Sequence, residues 1–236
     1  MRDWYYDDLR QVGLDFEDTA AVDAYDRNQS VDAEQDRALL DQLGVNGDHV
    51  VIDMGCGTGV FAIEAARRCR AVYAVDVSTS MLAFARRRAA SQNLSNLEFR
   101  RGGFLSYAHD GPPADMLVTK YAFHHLPDFW KSVALLRMNE MLRTAGRLFL
   151  SDVVFSFPPT EHRREIDAWI ARAAKPQGEG FTAAEFATHV RDEHSTYDWI
   201  LEGLIERAGF RIDRKDRWDV IYADYACTKT ADRSAT

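Results

Sequence analysis

Val50-Val51-Ile52-Asp53-Met54-Gly55-Cys56-Gly57-Thr58-Gly59 reads as a buried strand, an acidic residue near its end, and three glycines at alternate positions leading into a helix. β-Branched apolar residues favour a pleated surface, and glycines accept positive φ and let a ligand approach bare backbone. The stretch predicts a ligand site at a strand-to-helix turn. Outward from it, Val60, Phe61, Ile63, Ala65 and Ala66 have helical spacing to about Cys69, and Ala71 to Asp76 is the next strand. Ser78 caps a helix running through Met81, Leu82, Phe84 and Ala85 to about Gln92. Leu97 to Phe99 is a third strand, followed by the turn Arg101-Gly102-Gly103-Phe104 and a loop closing at Gly111-Pro112-Pro113. Asp115 to Thr119 is a fourth strand, Asp128 to Leu142 a helix and Gly146 to Phe155 a fifth strand. Strands alternating with helices predict an α/β protein: a Rossmann-like doubly wound sheet, mostly parallel, with helices on both faces.

Four segments follow. Residues 1–47 form an N-terminal helical lid, with one helix from Asp18 or Thr19 to about Arg27 and another from Val31 to Leu43, stopped at Gly44. Ahead of these helices, Trp4, Tyr5, Tyr6, Leu9, Val12, Leu14 and Phe16 are too many large side chains for a free tail. Residues 48–155 are the α/β core. Residues 156–196 are a helical insertion after the fifth strand, with helices from Glu161 to Ala174 and Thr182 to Glu193, too short to hold a core of its own. Residues 197–230 return to the core as a helix from Tyr197 to Ala208 and an antiparallel edge hairpin near Phe210 to Asp213 and Val220 to Cys227. The last six or so residues are expected to fray, and Trp169, Trp199 and Trp218 to pack in core or cap.

With 236 residues, 46% hydrophobic and 28% charged, the composition is that of a globular protein. No apolar run approaches the roughly 18 residues of a membrane span, and the acidic, aromatic start is unlike a signal peptide. The expectation is a soluble, cytoplasmic monomer or homodimer. Cys56, Cys69 and Cys227 fit neither a disulfide framework nor a metal site and are read as reduced thiols; no metal is expected. Of the net charge of −8, residues 1–48 hold thirteen Asp or Glu against four Arg, which argues against a nucleic-acid partner. Arg67, Arg68, Arg70 and Arg86, Arg87, Arg88 are read as solvated helix ends.

In an open parallel sheet the ligand lies beyond the carboxyl ends of the strands. Asp76, ending the second strand, sits where a carboxylate takes both hydroxyls of a ribose, which leaves NAD and S-adenosylmethionine. The spacing Gly55-x-Gly57-x-Gly59 is not the G-x-G-x-x-G of a pyrophosphate site. Asp53 would put a negative charge among a dinucleotide's phosphates but suits a ligand with an ammonium group.

Taken with the edge hairpin, the chain resembles the class I S-adenosylmethionine-dependent methyltransferases, small-molecule type. Asp53 to Gly59 matches the family's first motif, Ala74-Val75-Asp76-Val77-Ser78 follows the second strand, and Tyr121-Ala122-Phe123-His124-His125-Leu126-Pro127-Asp128 follows the fourth. The Leu142-to-Leu148 turn extends the likeness, which covers about 36–155 firmly and 197–228 loosely. It implies S-adenosyl-L-methionine as cofactor, S-adenosyl-L-homocysteine as product and methyl transfer to a small molecule. The methionine end falls to Asp53 and the backbone of Gly55, Cys56 and Gly57, the ribose to Asp76, and the adenine to Val77 and Met81, with Phe104 at the base edge. Lys120 and Tyr121 flank the donor, and Tyr25 resembles a tyrosine placed over it. One departure stands out: the family often has an acidic residue where this chain has Gly103, leaving backbone or water to meet the adenine amino group. His124 and His125 are the candidate catalytic bases, although many members carry a His-His-Leu run without using it so. The acidic lid hints at a neutral or cationic acceptor. A same-fold protein using the cofactor for non-methyl chemistry or without turnover is the alternative, and an NAD-dependent oxidoreductase a distant one.

Overall fold

The computed structural model describes residues 3–10, 13, 17, 19–28 and 33–232. Two lid helices, α1 (Thr19–Asn28) and α2 (Ala33–Gln42), precede the core. Val12, Leu14, Phe16, the cap at Asp18, the helix start at Val31 and the last four residues lie outside the described residues. The core runs β1 (Val50–Met54), α3 (Val60–Ala66), β2 (Ala71–Asp76), α4 (Thr79–Ala90), β3 (Leu97–Arg101), β4 (Ala114–Lys120), α5 (Asp128–Met141) and β5 (Leu142–Phe155). Ser78 caps α4 as its sequence predicts, its side chain accepting from the Met81 amide at 3.0 Å. The insertion holds α6 (His162–Ala173) and α7 (Ala183–Asp192); then come β6 (Thr196–Tyr197), α8 (Asp198–Arg207), β7 (Phe210–Arg217) and β8 (Tyr222–Lys229).

The strand order is β3-β2-β1-β4-β5-β8-β7, parallel except where β8 runs antiparallel to both neighbours. The central strands are buried on both faces, which is why β1 is a continuous apolar run. Val50, Ile52 and Met54 pack toward α5 and α8, and Val51 toward α2 and α3.

Three differences from expectation have local causes. β5 starts at Leu142, which pairs with Ala114 before the strand slips register and resumes at Arg147 opposite Met116; Ala145 takes positive φ in that irregular stretch. β6 was not foreseen, since two residues carry no periodic signal; it pairs with the far end of β5. Trp169 is buried as expected, but Trp199 and Trp218 are 64% and 60% exposed. Trp199 stacks on Tyr197, and Trp218 donates its indole N–H to Asp224 at 3.1 Å.

Lid and insertion are fastened to the core differently. The insertion's Trp169 and Phe186 join Val153, Phe157, Ile221 and Tyr222 in one apolar cluster, so its core is borrowed from the sheet edge. The lid is tied by Leu40 of α2 and by Leu43 just past it, which are buried with Val51 and Phe61, and by carboxylates. Glu17 accepts from the amide and hydroxyl of Thr79, Asp26 pairs with Arg88 at 2.7 Å, and Asp36 pairs with Lys120. Asp8 accepts from the Leu105 and Ser106 amides at 2.6 and 3.2 Å. One expectation changes: Arg88 is a cross-link rather than a solvated helix end. Four acids of this segment, Asp8, Glu17, Asp26 and Asp36, face the core.

Candidate active site

The carboxyl ends of β1, β2 and β4 converge on the glycine turn. Gly55 has φ 78° and its amide donates to Val75 at 2.8 Å; a Cβ there would strike Ala122. At Gly59 (φ 81°) a Cβ would come within 2.8 Å of Ala85, so α3 and α4 can close on the turn only without a side chain. Asp76 uses one carboxylate oxygen to accept from the Gly57 amide at 2.8 Å and the other from Ser78 at 2.9 Å. Those bonds fix the carboxylate at the turn while leaving further lone pairs on both oxygens. Its burial nevertheless holds its pKa above the ordinary value.

Two cavities meet here. The smaller, about 110 Å³, is lined by Asp76, Val77, Met81, Gly103 and Phe104; the larger, about 580 Å³, by Asp53, Cys56 and His124. Tyr25, Gly55, Gly57, Lys120 and His125 line both, so all the residues singled out from the sequence come together. Trp169, Phe181, Phe186, His189 and Glu193 of the insertion roof the larger cavity. The Tyr25 ring meets Phe181 edge-on at 6.2 Å, joining lid to insertion above the glycine turn.

Asp53 is buried, and its Oδ2 has no hydrogen-bond partner among the described residues. Burial pushes its pKa up to about 7 against the opposing pull of Lys120. A buried carboxylate oxygen without a donor suits a cationic ammonium, so the residues present fit the methionine end of S-adenosylmethionine. Burial also raises the Cys56 thiol, which excludes a reactive thiolate at neutral pH.

The two histidines are opposites. The His124 Nδ1 faces Asp152 Oδ1 at 2.5 Å, and its Nε2 faces Glu193 Oε2 at 3.2 Å. Burial works against its charge, but the two carboxylates outweigh it and raise its pKa to about 9. Asp152 also accepts from the amides of Phe123, His124 and Val153, and Glu193, just past the end of α7, pairs with His189 in its last turn. His125 is driven down to about 3 by burial and by the neighbouring His124 charge, and its Nδ1 is buried without a partner among the described residues. It is a neutral imidazole. His124, His125 and Glu193 present ligand atoms within 4.8 Å of one another, a spacing that could surround a cation. Both nitrogens of His124 are, however, already engaged by carboxylates.

Asp152, His189, Glu193, Asp36 and Asp8 are absent from the residues singled out by sequence. Two signals were readable: a lone acid inside Leu148-Phe149-Leu150-Ser151-Asp152-Val153-Val154, and the i,i+4 pair His189 and Glu193 on α7. Tyr121 had been placed beside the donor; it lines both cavities with φ 53°, a conformation rare for tyrosine.

Residues 46–226 match the family model described as "Methyltransferase domain". An uncharacterized methyltransferase of Anoxybacillus flavithermus is 28% identical over 174 residues, 74% of this chain and 75% of that protein. Among solved structures, a SAM-dependent methyltransferase from Aquifex aeolicus superposes with a TM-score of 0.63 at 17% identity, covering 90% of this chain and 99% of that one. The [4+2]-cyclase SpnF gives 0.63 at 15% identity, covering 84% and 81%. At such identities the structural likeness shows the fold alone. The chain belongs to the methyltransferase domain family, and its chemistry is methyl transfer from S-adenosylmethionine. The nicotinamide-dependent alternative falls away. Among the described residues no helix is long and apolar enough to cross a membrane.

Proposed function

We propose that this protein methylates a small molecule held in the larger cavity, between the glycine turn and the insertion. The observation that carries the reading is the meeting of the two cavities at Gly55, Lys120 and His125. In this reading Asp53 holds the donor's ammonium, Asp76 its ribose, and Val77, Met81 and Phe104 its base. The amides of Gly55, Cys56 and Gly57 already donate to Val75 and Asp76, so the glycine turn serves the methionine end by close approach rather than by free donors. Bound there, the cofactor supplies a methyl group on a sulfonium, an electrophile needing little more than an aligned nucleophile. Tyr25 and Phe181 keep water from the turn, and the aromatic roof of the insertion selects an acceptor with apolar surface.

His125 borders both cavities and is neutral at physiological pH, so it can accept a hydrogen bond from an acceptor O–H or N–H. His124, held as a cation by Asp152 and Glu193, keeps its neighbour uncharged. His125 is thus the catalytic candidate of the pair and His124 its positioning residue.

The test is incubation with S-adenosylmethionine and a panel of apolar phenols, amines and thiols, following methylated product and S-adenosylhomocysteine together. Both should rise in equal amounts on at least one acceptor class. Absence of methylated product and of S-adenosylhomocysteine across the whole panel would overturn the assignment of the acceptor to these classes.

A further inference from the structure

We propose that Asp8, from the segment preceding the lid helices, reads the 6-amino group of the cofactor's adenine and supplies the carboxylate that the turn after β3 lacks. This rests on the donor orientation proposed above. β1, β2 and β3 are adjacent in the sheet, so Asp53, Asp76 and Gly103 stand in line beyond their carboxyl ends. A ligand with its ammonium at the first and its ribose at the second carries its base to the third.

An aspartate from the far N-terminal segment occupies that third place. Asp8 is buried and lines the smaller cavity together with Val77, Met81, Gly103 and Phe104. A Cβ built on Gly103 would collide with Asp8 Oδ2 and lie 2.8 Å from its Cγ and 3.0 Å from Val77 Cγ1. The carboxylate therefore fills the space where a side chain at position 103 would begin. The same Oδ2 accepts from the Leu105 and Ser106 amides, as an acid at position 103 could for its own turn.

The chemistry selects the ligand group. An ionised carboxylate only accepts, with about four lone-pair sites, of which the two amides occupy two. The edge of adenine at C6 offers an N–H donor. A 6-oxo purine would turn an acceptor toward the same charge, and burial makes that mismatch costly.

Calorimetry on the full chain with S-adenosylhomocysteine and its 6-oxo analogue, S-inosylhomocysteine, tests this, with thermal unfolding of each variant to check folding. The unmodified protein should prefer the adenosyl ligand by at least about 30-fold, the scale of one charge-assisted hydrogen bond. Asp8→Asn, whose amide can donate to a 6-oxo group, should cut that preference below about threefold. The exchange Asp8→Ala with Gly103→Asp should restore it, since it removes the collision and places an acid on the turn itself. Retained preference in Asp8→Asn, or an equal loss for both ligands as for a residue that only anchors the arm, would overturn the proposal. So would a folded exchange variant without preference. Asp76→Ala should weaken both ligands alike; unchanged affinity there would count against the ribose assignment and not against Asp8.

Discussion

The lid and the insertion cover the same site from opposite ends of the chain, yet they are built on different physics. The insertion is held by an aromatic cluster around Trp169 and by one buried charged knot, in which Glu193 and His189 meet His124 and Asp152 of the core. The lid is held by Leu40 and Leu43, buried in the core, and by carboxylates spread along it. Asp8 and Asp36 are buried, whereas Asp26, which holds α1, is half-buried and Glu17, just before that helix, is exposed. Apolar burial is insensitive to ionic strength, whereas partly exposed ion pairs are weak and screened by salt. The comparison teaches that the polar tie of α1, Asp26 to Arg88, is the part of the two covers that salt can loosen, while the aromatic cluster of the insertion and the buried Leu40 and Leu43 stay in place.

The hardest blow to the insertion is Trp169→Ala. It leaves a cavity under α6 and removes the indole N–H that donates to Tyr222, and should cost about 3–5 kcal/mol in denaturant unfolding. S-adenosylhomocysteine affinity should fall less than threefold, because Trp169 belongs to the roof assigned to the acceptor and not to the residues assigned to the donor. A large loss of affinity would mean that the two covers are not separable.

Next in size is His124→Ala, which leaves Asp152 and Glu193 buried without their cation. A loss of about 3 kcal/mol is expected, and His124→Gln should recover only part of it. The pH dependence has a definite sign. His124 has a folded pKa of about 9, raised from 6.5, so its contribution is complete below the lower value and is lost as pH rises through the upper. Glu193 is lowered from 4.5, chiefly by His124 and His189 against its burial, so its contribution is present above that value and is lost as pH falls. Stability of the wild type should therefore exceed that of His124→Ala most between those limits. A constant difference from pH 5 to about pH 10 would deny the ionic character of the knot.

A smaller effect is expected at Asp53. With its pKa at about 7, affinity for S-adenosylhomocysteine should climb several-fold as pH rises through that value, and Asp53→Asn should flatten the profile. The smallest belongs to the lid. Arg88→Ala should cost under about 1 kcal/mol of global stability while speeding amide hydrogen exchange in Thr19–Asn28, and high salt should do the same to the wild type. Equal effects of salt on α6 would erase the contrast drawn here.

These differences also mark how far the sequence could be read. The core was legible because its signals are local: β-branched runs, Ser78 as a cap, glycines spaced for a turn and acids at two strand ends. Asp53 and Asp76 follow from the same logic, since a strand's end fixes where its last side chain goes. The fastening of the lid was not legible. That Asp8 reaches the turn after β3, or Asp26 reaches Arg88, depends on contacts about a hundred and about sixty residues away, and an acid looks the same in sequence whether solvated or buried. His124 and His125 are adjacent and chemically identical in sequence. Only Asp152 and Glu193, brought in from β5 and the end of α7, make one a fixed cation and the other a neutral ring.

The position of β8 has a consequence for biosynthesis. It follows β7 in the chain but lies between β7 and β5, so β7 cannot join the sheet as it leaves the ribosome and must wait for its successor. Until Tyr222–Lys229 emerges, β5 presents a long apolar edge with open backbone groups, a template for mispairing with a neighbouring nascent chain. Assembly of the ligand-binding half can run ahead of this step, because β1 to β4 pair among themselves and with β5 alone. Chaperone demand should accordingly be highest while β5 waits for Tyr222–Lys229, after the glycine turn has already formed.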